Sequence, residues 1–193
     1  AAKVARQLNC GGVARVSWAF ASMAESEGPH IPQLKSSVRQ LGLNSFGATE
    51  LSKLTWAFAK VELEVDEPLM MDIAQQVEKR VPMLNARDVD MVAWALAKAN
   101  VTMPDLMAKL AKHAVLVAPH LDAKGLANCA AAFALCRVEV VDLRSALSKR
   151  SKEEIENFSA QGLCDLRWAF ATQQWLEPSL EEAISVAPGW VER

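Results

Sequence analysis

The chain has 193 residues, of which 51% are apolar and 23% charged, and its formal net charge at pH 7 is −2. This composition excludes a disordered polar chain, because enough apolar residues are present to bury a core. No apolar run reaches the roughly 18 residues that a membrane-spanning helix needs, so we expect no membrane span. The acidic balance also disfavours a general polyanion binder with a uniformly basic surface.

The first eight residues, AAKVARQL, contain no long apolar segment of the kind found in a secretory signal. We therefore expect no intact targeting peptide to be visible. Their pattern resembles the end of a helix that precedes the first repeat, and we assign residues 1–7 to such a helix.

A tetrapeptide motif recurs along the chain and sets its organisation. The tetrads WAFA, WAFA, WALA, AAFA and WAFA begin at residues 18, 56, 94, 131 and 168, which are 38, 38, 37 and 37 residues apart. So regular a period is typical of repeat proteins. We expect a single array over residues 1–193, with repeats at approximately 8–45, 46–83, 84–120, 121–157 and 158–193.

The residues around each tetrad predict an amphipathic helix, which we call the A helix. Apolar residues stand ten, five and two positions before the first tetrad residue and two positions after it in all five repeats. In the first repeat these residues are Leu8, Val13, Val16 and Phe20. At about 100° per residue, the last three positions share one side of a helix.

A second helical pattern, the B helix, follows about a dozen residues later. Its apolar residues recur every four positions, as Leu69/Ile73/Val77, Leu106/Leu110, Leu143/Leu147 and Leu180/Ile184. Prolines suit the first turn of these helices and stand at Pro29, Pro68, Pro104 and Pro178. No period-two strand pattern competes. The sequence therefore predicts an all-α fold, a right-handed α-solenoid of about five helix-turn-helix repeats.

The tryptophans of the tetrads lie opposite the aliphatic side of the A helix, so both sides are apolar. A helix that is apolar on two sides packs between neighbours. We therefore predict that the tetrad aromatics pack between repeats, namely Trp18, Trp56, Trp94, Trp168, Phe20, Phe58, Phe133 and Phe170. A second interpretation stays open, in which the tryptophans stack on the bases of a single-stranded nucleic acid.

Basic residues concentrate on one ridge of the A helix. The positions seven before, three before and four after the first tetrad residue lie within about 40° of one another. They carry six basic residues and one acid; the basic residues are Arg15, Lys53, Lys60, Arg87, Lys98 and Lys124. We predict that these contact phosphates, and that Asn128, Gln161 and Asp165 on the same ridge read bases, one base per repeat. The alternative is an ordinary solvated surface.

The repeats carry the motif L-x-x-L/V-x-W-A-F/L-A, which ends at Ala171 in its last copy. With their length of 37 to 38 residues, they resemble octotricopeptide and heptatricopeptide repeats, and they are similar to the helical repeats of RAP-domain and FAST-kinase-like proteins. The resemblance implies an organellar α-solenoid that binds single-stranded RNA or ribosomal RNA and acts in RNA processing, stability or translation, or within an organellar ribosome. The Pro-Pro-Pro-Glu-Trp element of many octotricopeptide repeats is absent.

A protein-interaction scaffold is the alternative function. The array would then contact protein subunits of a large organellar assembly and read no RNA. The negative net charge and the small number of repeats favour this alternative.

No pattern typical of catalysis or metal binding is found. His30, His113 and His120 have no sequence-adjacent nucleophile or ligand partner. The cysteines, Cys10, Cys129, Cys136 and Cys164, form no C-x-x-C pair and occupy apolar or alanine-like positions, so we expect buried, reduced thiols and a reducing compartment. We therefore expect no enzyme activity, cofactor, metal or small-molecule substrate. The family resemblance, which implies an organelle, further predicts a soluble protein of the mitochondrial matrix or plastid stroma.

Overall fold

The computed structural model describes residues 8–23, 30–61, 66–101, 103–188 and 190. Within these residues the secondary structure consists of α-helices and short 3-10 helices, without strands. The predicted all-α fold class is thus confirmed for the described part of the chain. None of the helices described there is long and apolar enough to cross a membrane.

A and B helices alternate along the chain, as the tetrad spacing predicts. The A helices are α1 (Cys10–Ser22), α3 (Ala48–Val61), α5 (Ala86–Lys98), α7 (Ala123–Leu135) and α9 (Ala160–Thr172). The B helices are α2 (His30–Leu41), α4 (Glu67–Glu78), α6 (Pro104–Val117), α8 (Val141–Glu153) and α10 (Pro178–Ser185). The short 3-10 helices that join each B helix to the next A helix are Leu43–Ser45, Val81–Met83, Ala118–His120 and Ile155–Asn157.

The start of each A helix is specified nine residues before its tetrad. At this position four side chains accept a hydrogen bond from a backbone N–H of the first turn, namely those of Asn9, Asn85, Asp122 and Ser159. In α3 the same position is Gly47, and its N–H donates instead to Glu50 Oε2 at 2.7 Å. The apolar positions ten and five before the tetrad therefore flank the cap as a hydrophobic staple does.

The ends of three A helices also share one geometry. The residue six positions after the start of the tetrad has a positive φ, 52° at Asn100, 50° at Arg137 and 57° at Gln174. In the fourth repeat the Val138 N–H donates to the Phe133 carbonyl, and the Arg137 N–H donates to the Ala134 carbonyl. This is the Schellman pattern that ends a helix.

The B helices begin largely where the prolines predict. Pro68, Pro104 and Pro178 lie in the first turns of α4, α6 and α10, whereas α8 begins without proline. The predicted proline Pro29 lies outside the described residues, as does the helix expected at residues 1–7.

The helices pack in two layers around a continuous apolar core. Each A helix packs extensively against the next A helix, in the order α1, α3, α5, α7 and α9, whereas successive B helices touch less. Small residues line contacts between A helices, as where Gly162 of α9 lies against Ala127 of α7, and alanines such as Ala93 and Ala130 are nearly fully buried. The tetrad side chains Phe58, Leu96, Phe133 and Phe170 are also buried. Small side chains between A helices and large ones on the aliphatic side explain why the A layer is the tighter layer.

Candidate nucleic-acid interface

Three tetrad tryptophans from successive A helices form a row. The ring centroids of Trp18 and Trp56 are 6.4 Å apart, and those of Trp56 and Trp94 are 6.1 Å apart, with the planes tilted by 33° and 38°. Trp56 and Trp94 are half-buried, while Trp18 is 39% exposed. These distances place the indoles in direct contact across the repeat boundaries, which is the geometry expected of aromatic packing.

Two lysines of the predicted ridge lie over this row. The Nζ atom of Lys60 is 4.6 Å from the ring centroid of Trp56, and that of Lys98 is 5.0 Å from the ring centroid of Trp94. Lys98 also donates to the Lys60 carbonyl at 3.5 Å. Such cation–π contacts fix a positive charge on the surface of the A layer. We call Trp18, Trp56, Trp94, Lys60 and Lys98 the tryptophan–lysine row.

The row does not continue into the fourth and fifth repeats. Ala131 replaces the tryptophan, and Leu135, which is 60% exposed, replaces the lysine. Trp168 is 46% exposed and forms no ring contact with another aromatic residue in the described part of the chain. The structure therefore places Trp18, Trp56 and Trp94 between repeats, and leaves Trp168 as a separate, accessible indole. Phe20 differs from the other tetrad Phe residues, because it is half-buried and stacks on His30 with a centroid distance of 4.5 Å.

Two clefts between neighbouring A helices bring predicted ridge residues together. The cleft between α1 and α3 has a volume of about 560 Å³, and its polar lining includes Arg15, Thr49, Glu50 and Lys53. The cleft between α7 and α9 has a volume of about 420 Å³, and its polar lining includes Lys124, Asn128, Gln161 and Asp165. Both clefts lie at the positions three and seven before the tetrad, which the sequence singles out.

The two central A–A boundaries are held by buried carboxylates instead. Asp88, 2% exposed, accepts from Thr49 Oγ1 at 2.8 Å and lies 2.6 Å from Ser52 Oγ. This contact joins α3 to α5. Buried carboxylates need such partners, because unpaired ones would lose their hydration without compensation.

The second buried carboxylate joins α5 to α7. Asp90, also 2% exposed, accepts from Asn128 Nδ2 at 2.8 Å and from Arg87 at 3.3 Å. Burial raises the pKa of Asp90, although the Asn128 hydrogen bond and the Arg87 charge oppose this effect. Arg87 and the Asn128 amide nitrogen therefore have partners within the protein.

The sequence analysis did not identify either buried acid, Asp88 or Asp90. They occupy the positions six and four before the tetrad, where the other repeats mostly have small or buried residues. Their partners could have been a signal, because Ser52 and Asn128 stand 36 and 38 residues away, close to one repeat length. The predicted ridge is also interrupted in the third repeat, where Met91 is only 4% exposed.

The cysteines differ from the expectation of four buried thiols. Cys129 is buried, and burial raises the pKa of its thiol well above the ordinary value; burial also raises the pKa of the half-buried Cys136. Cys10 is half-buried and Cys164 is exposed. The cause at Cys164 is that no described helix packs on that side of α9, whereas the equivalent Ala14 and Ala127 are covered by the next A helix.

His113, one of the three histidines, takes a structural role. His113 Nε2 lies 2.8 Å from the Leu84 carbonyl, which links the B helix of the third repeat to the start of its A helix. The described residues contain no group of three or more side chains that could hold a metal ion.

Comparison with known proteins identifies a family for this chain. No curated protein matches the chain significantly. The family model described as RNA-editing substrate-binding complex 6 protein matches residues 1–178. The likeness to octotricopeptide and heptatricopeptide repeats thus remains one of repeat length and motif. The chain belongs to the RNA-editing substrate-binding complex 6 protein family.

Proposed function

We propose that the chain is a non-catalytic, right-handed α-solenoid that binds single-stranded RNA along its A helices, as a subunit of a mitochondrial RNA-editing complex. The observation that carries the proposal is the tryptophan–lysine row, which combines aromatic rings and fixed positive charges on one surface. Single-strand binders combine a charged groove with aromatic stacking platforms; here the lysines of the row would supply the charge, and the exposed indole of Trp18 would supply a ring face. Membership of a family named for an RNA-editing substrate-binding complex supports both the RNA and the organelle.

The packing of the layers supports a solenoid with the A helices on its inner side. Neighbouring A helices touch more extensively than neighbouring B helices do. An array in which one layer is the tighter bends toward that layer, and solenoids present their concave surface to ligands. The A surface would therefore face a bound RNA strand, with residues 1–193 as one array of five repeats.

Five of the six predicted basic residues are available for phosphates. They are Arg15, Lys53, Lys60, Lys98 and Lys124, and none of them forms an ion pair with an acid in the described part of the chain. Arg87 is left out because its guanidinium pairs with Asp90 at 3.3 Å. Bases would stack on the exposed indoles Trp18 and Trp168, since the rings of Trp56 and Trp94 are covered by lysines.

Salt-dependent binding of a labelled single-stranded RNA tests the proposal. Five phosphate contacts on a single strand give a slope of log K against log salt of about −3.5, measured by fluorescence anisotropy. Reversing Lys53, Lys60 and Lys98 to Glu should abolish binding. The matched control reverses three exposed lysines of the B layer and should retain most of the binding; they are Lys79, which caps the end of α4, and Lys112 and Lys149 on α6 and α8. Absence of binding at low salt, or a flat salt dependence, would overturn the proposal.

A protein-interaction scaffold is the second candidate function. It is favoured by the exposed apolar side chains of Leu135 and Trp168, which stand on the A surface where the tryptophan–lysine row has ended. Exposed apolar groups on a surface of this kind are typical of protein contacts. If the wild type binds no RNA, while Leu135→Asp releases the chain from its purified complex, the scaffold function replaces RNA binding.

A further inference from the structure

The cleft between α7 and α9 presents an unusual set of hydrogen-bonding groups. The Asn128 amide nitrogen donates to Asp90 Oδ1 at 2.8 Å, and the Gln161 amide nitrogen donates to Asp165 Oδ1 at 2.8 Å. Within the described residues, the oxygens Asn128 Oδ1, Gln161 Oε1 and Asp165 Oδ2 accept no hydrogen bond. Lys124 is the one cation among the described residues that line this cleft.

These groups define the ligand that would fit. Three acceptor oxygens, one of them on a carboxylate, can accept from the N–H donors of a ligand, and the ammonium group of Lys124 can donate to a ligand acceptor. Among the RNA bases, guanine carries two adjacent N–H donor groups, N1–H and N2–H2, next to the acceptor O6. A carboxylate can accept from both donor groups at once. Uracil offers one N–H between two carbonyls, while adenine and cytosine place an unprotonated ring nitrogen beside their amino group.

We infer that the α7–α9 cleft binds a guanine base of single-stranded RNA, with Asp165 accepting from N1–H and N2–H2 and Lys124 donating to O6. This inference rests on the proposed RNA-binding function and names the base for one of its sites. Sequence-specific RNA recognition commonly reads the Watson–Crick edge of an unpaired base in this way. The volume of about 420 Å³ lies in the range of small-ligand sites.

Two comparisons favour guanine over other ligands. An arginine side chain of a partner protein could also pair with Asp165, but its positive charge would meet that of Lys124. The equivalent α1–α3 cleft has two cations, Arg15 and Lys53, beside its one carboxylate, Glu50, whereas the α7–α9 cleft has one cation beside Asp165. The α1–α3 cleft suits a phosphate, whereas the α7–α9 cleft suits a base with a donor edge.

Oligonucleotides that differ by one exocyclic amino group test the inference. Single strands of alternating guanosine and uridine, of inosine and uridine, and of uridine alone are compared in lithium buffer by fluorescence anisotropy. Inosine lacks the N2 amino group and keeps N1–H and O6. We expect the wild type to prefer guanosine over inosine by about 10-fold, the range of one good bidentate contact.

The decisive variant is Asp165→Asn, which replaces the free acceptor with a donor. It should bind guanosine and inosine strands equally while its affinity for the uridine strand stays unchanged. Asp142→Asn, an exposed acid on α8, makes the same chemical change away from the cleft and should keep the preference. Circular dichroism confirms that both variants are folded.

The remaining outcomes separate the two proposals. Equal binding of guanosine and inosine strands by the wild type overturns the guanine site and leaves RNA binding intact. A preference that survives in Asp165→Asn also overturns it. No binding of any strand overturns the proposed function itself. An arginine-rich peptide that binds the wild type but not Asp165→Asn assigns the cleft to a protein and overturns the inference.

Discussion

Single Trp→Ala substitutions in the tryptophan–lysine row should show how much each indole contributes to the free energy of unfolding. Trp56 contacts an indole on each side, at 6.4 and 6.1 Å, and carries Lys60 over its ring, whereas Trp18 has one indole neighbour. An aromatic pair contributes about 0.5–1.5 kcal/mol beyond area burial. A partly exposed cation–π contact contributes about 0.5–1 kcal/mol. Trp56→Ala should therefore lose about 1.5–4 kcal/mol from these contacts, and Trp18→Ala about 0.5–1.5 kcal/mol.

Urea denaturation followed by far-ultraviolet circular dichroism measures these losses. The double variant of Trp18 and Trp56 should show a coupling energy of about 0.5–1.5 kcal/mol, because their rings touch. Trp18 and Trp94 are separated by Trp56, so their losses should add to within about 0.5 kcal/mol. The double-mutant cycle of Trp18 and Trp94 is therefore the control for the cycle of Trp18 and Trp56.

Two results would refute the reasoning. Equal losses from Trp18→Ala and Trp56→Ala would show that the central indole gains nothing from its second neighbour. A coupling energy between Trp18 and Trp94 as large as that between Trp18 and Trp56 would show that the coupling does not arise from direct contact between the rings.

Two further predictions concern helix ends. Arg137 has a φ of 50°, so Arg137→Gly relieves left-handed strain and should stabilise by about 0.5–1 kcal/mol in thermal unfolding, whereas Arg137→Ala should not. Hydrogen bonds from Ser148 and Lys152 lower the pKa of Glu177 in the folded protein. Its ionised form therefore stabilises the fold at any pH above the unfolded pKa. This contribution is lost as the pH falls through the folded pKa. Glu177→Gln should destabilise at neutral pH, and this loss should shrink as the pH falls below the unfolded pKa and vanish below the folded pKa; a pH-independent loss would contradict this linkage.

Much of the fold could be predicted because each repeat shows the same columns. The tetrads fixed the period, and the aliphatic columns identified residues such as Phe58 and Leu126, which are fully buried. The helix-capping position nine residues before each tetrad, occupied for example by Asn85 and Ser159, recurs just as regularly. Because its residues are mostly polar, the pattern of apolar positions does not reveal it. The positive φ of Arg137 could not be predicted, because arginine is not a typical left-handed residue.

The candidate site was harder to predict, because the role of a polar residue depends on the neighbouring repeat. A helical wheel places Arg87 and Asn128 on the ridge, and both are at least partly exposed. It does not show that the buried carboxylate of Asp90 lies within hydrogen-bonding distance of both. A residue on the predicted surface can thus already form a hydrogen bond or ion pair with a buried side chain, and only the packing of the helices shows this.

The same buried carboxylates limit how RNA could lie on the A surface. In the third repeat the position three before the tetrad is Met91, which is buried, and the position seven before it is Arg87, which is paired. The α3–α5 and α5–α7 boundaries are joined by Asp88 and Asp90, while the clefts lie at α1–α3 and α7–α9. A readout of one base per repeat therefore has no place in the third repeat. A strand on this surface would instead meet two clefts, separated by a central repeat whose contribution is charge and aromatic surface from Lys98 and Trp94.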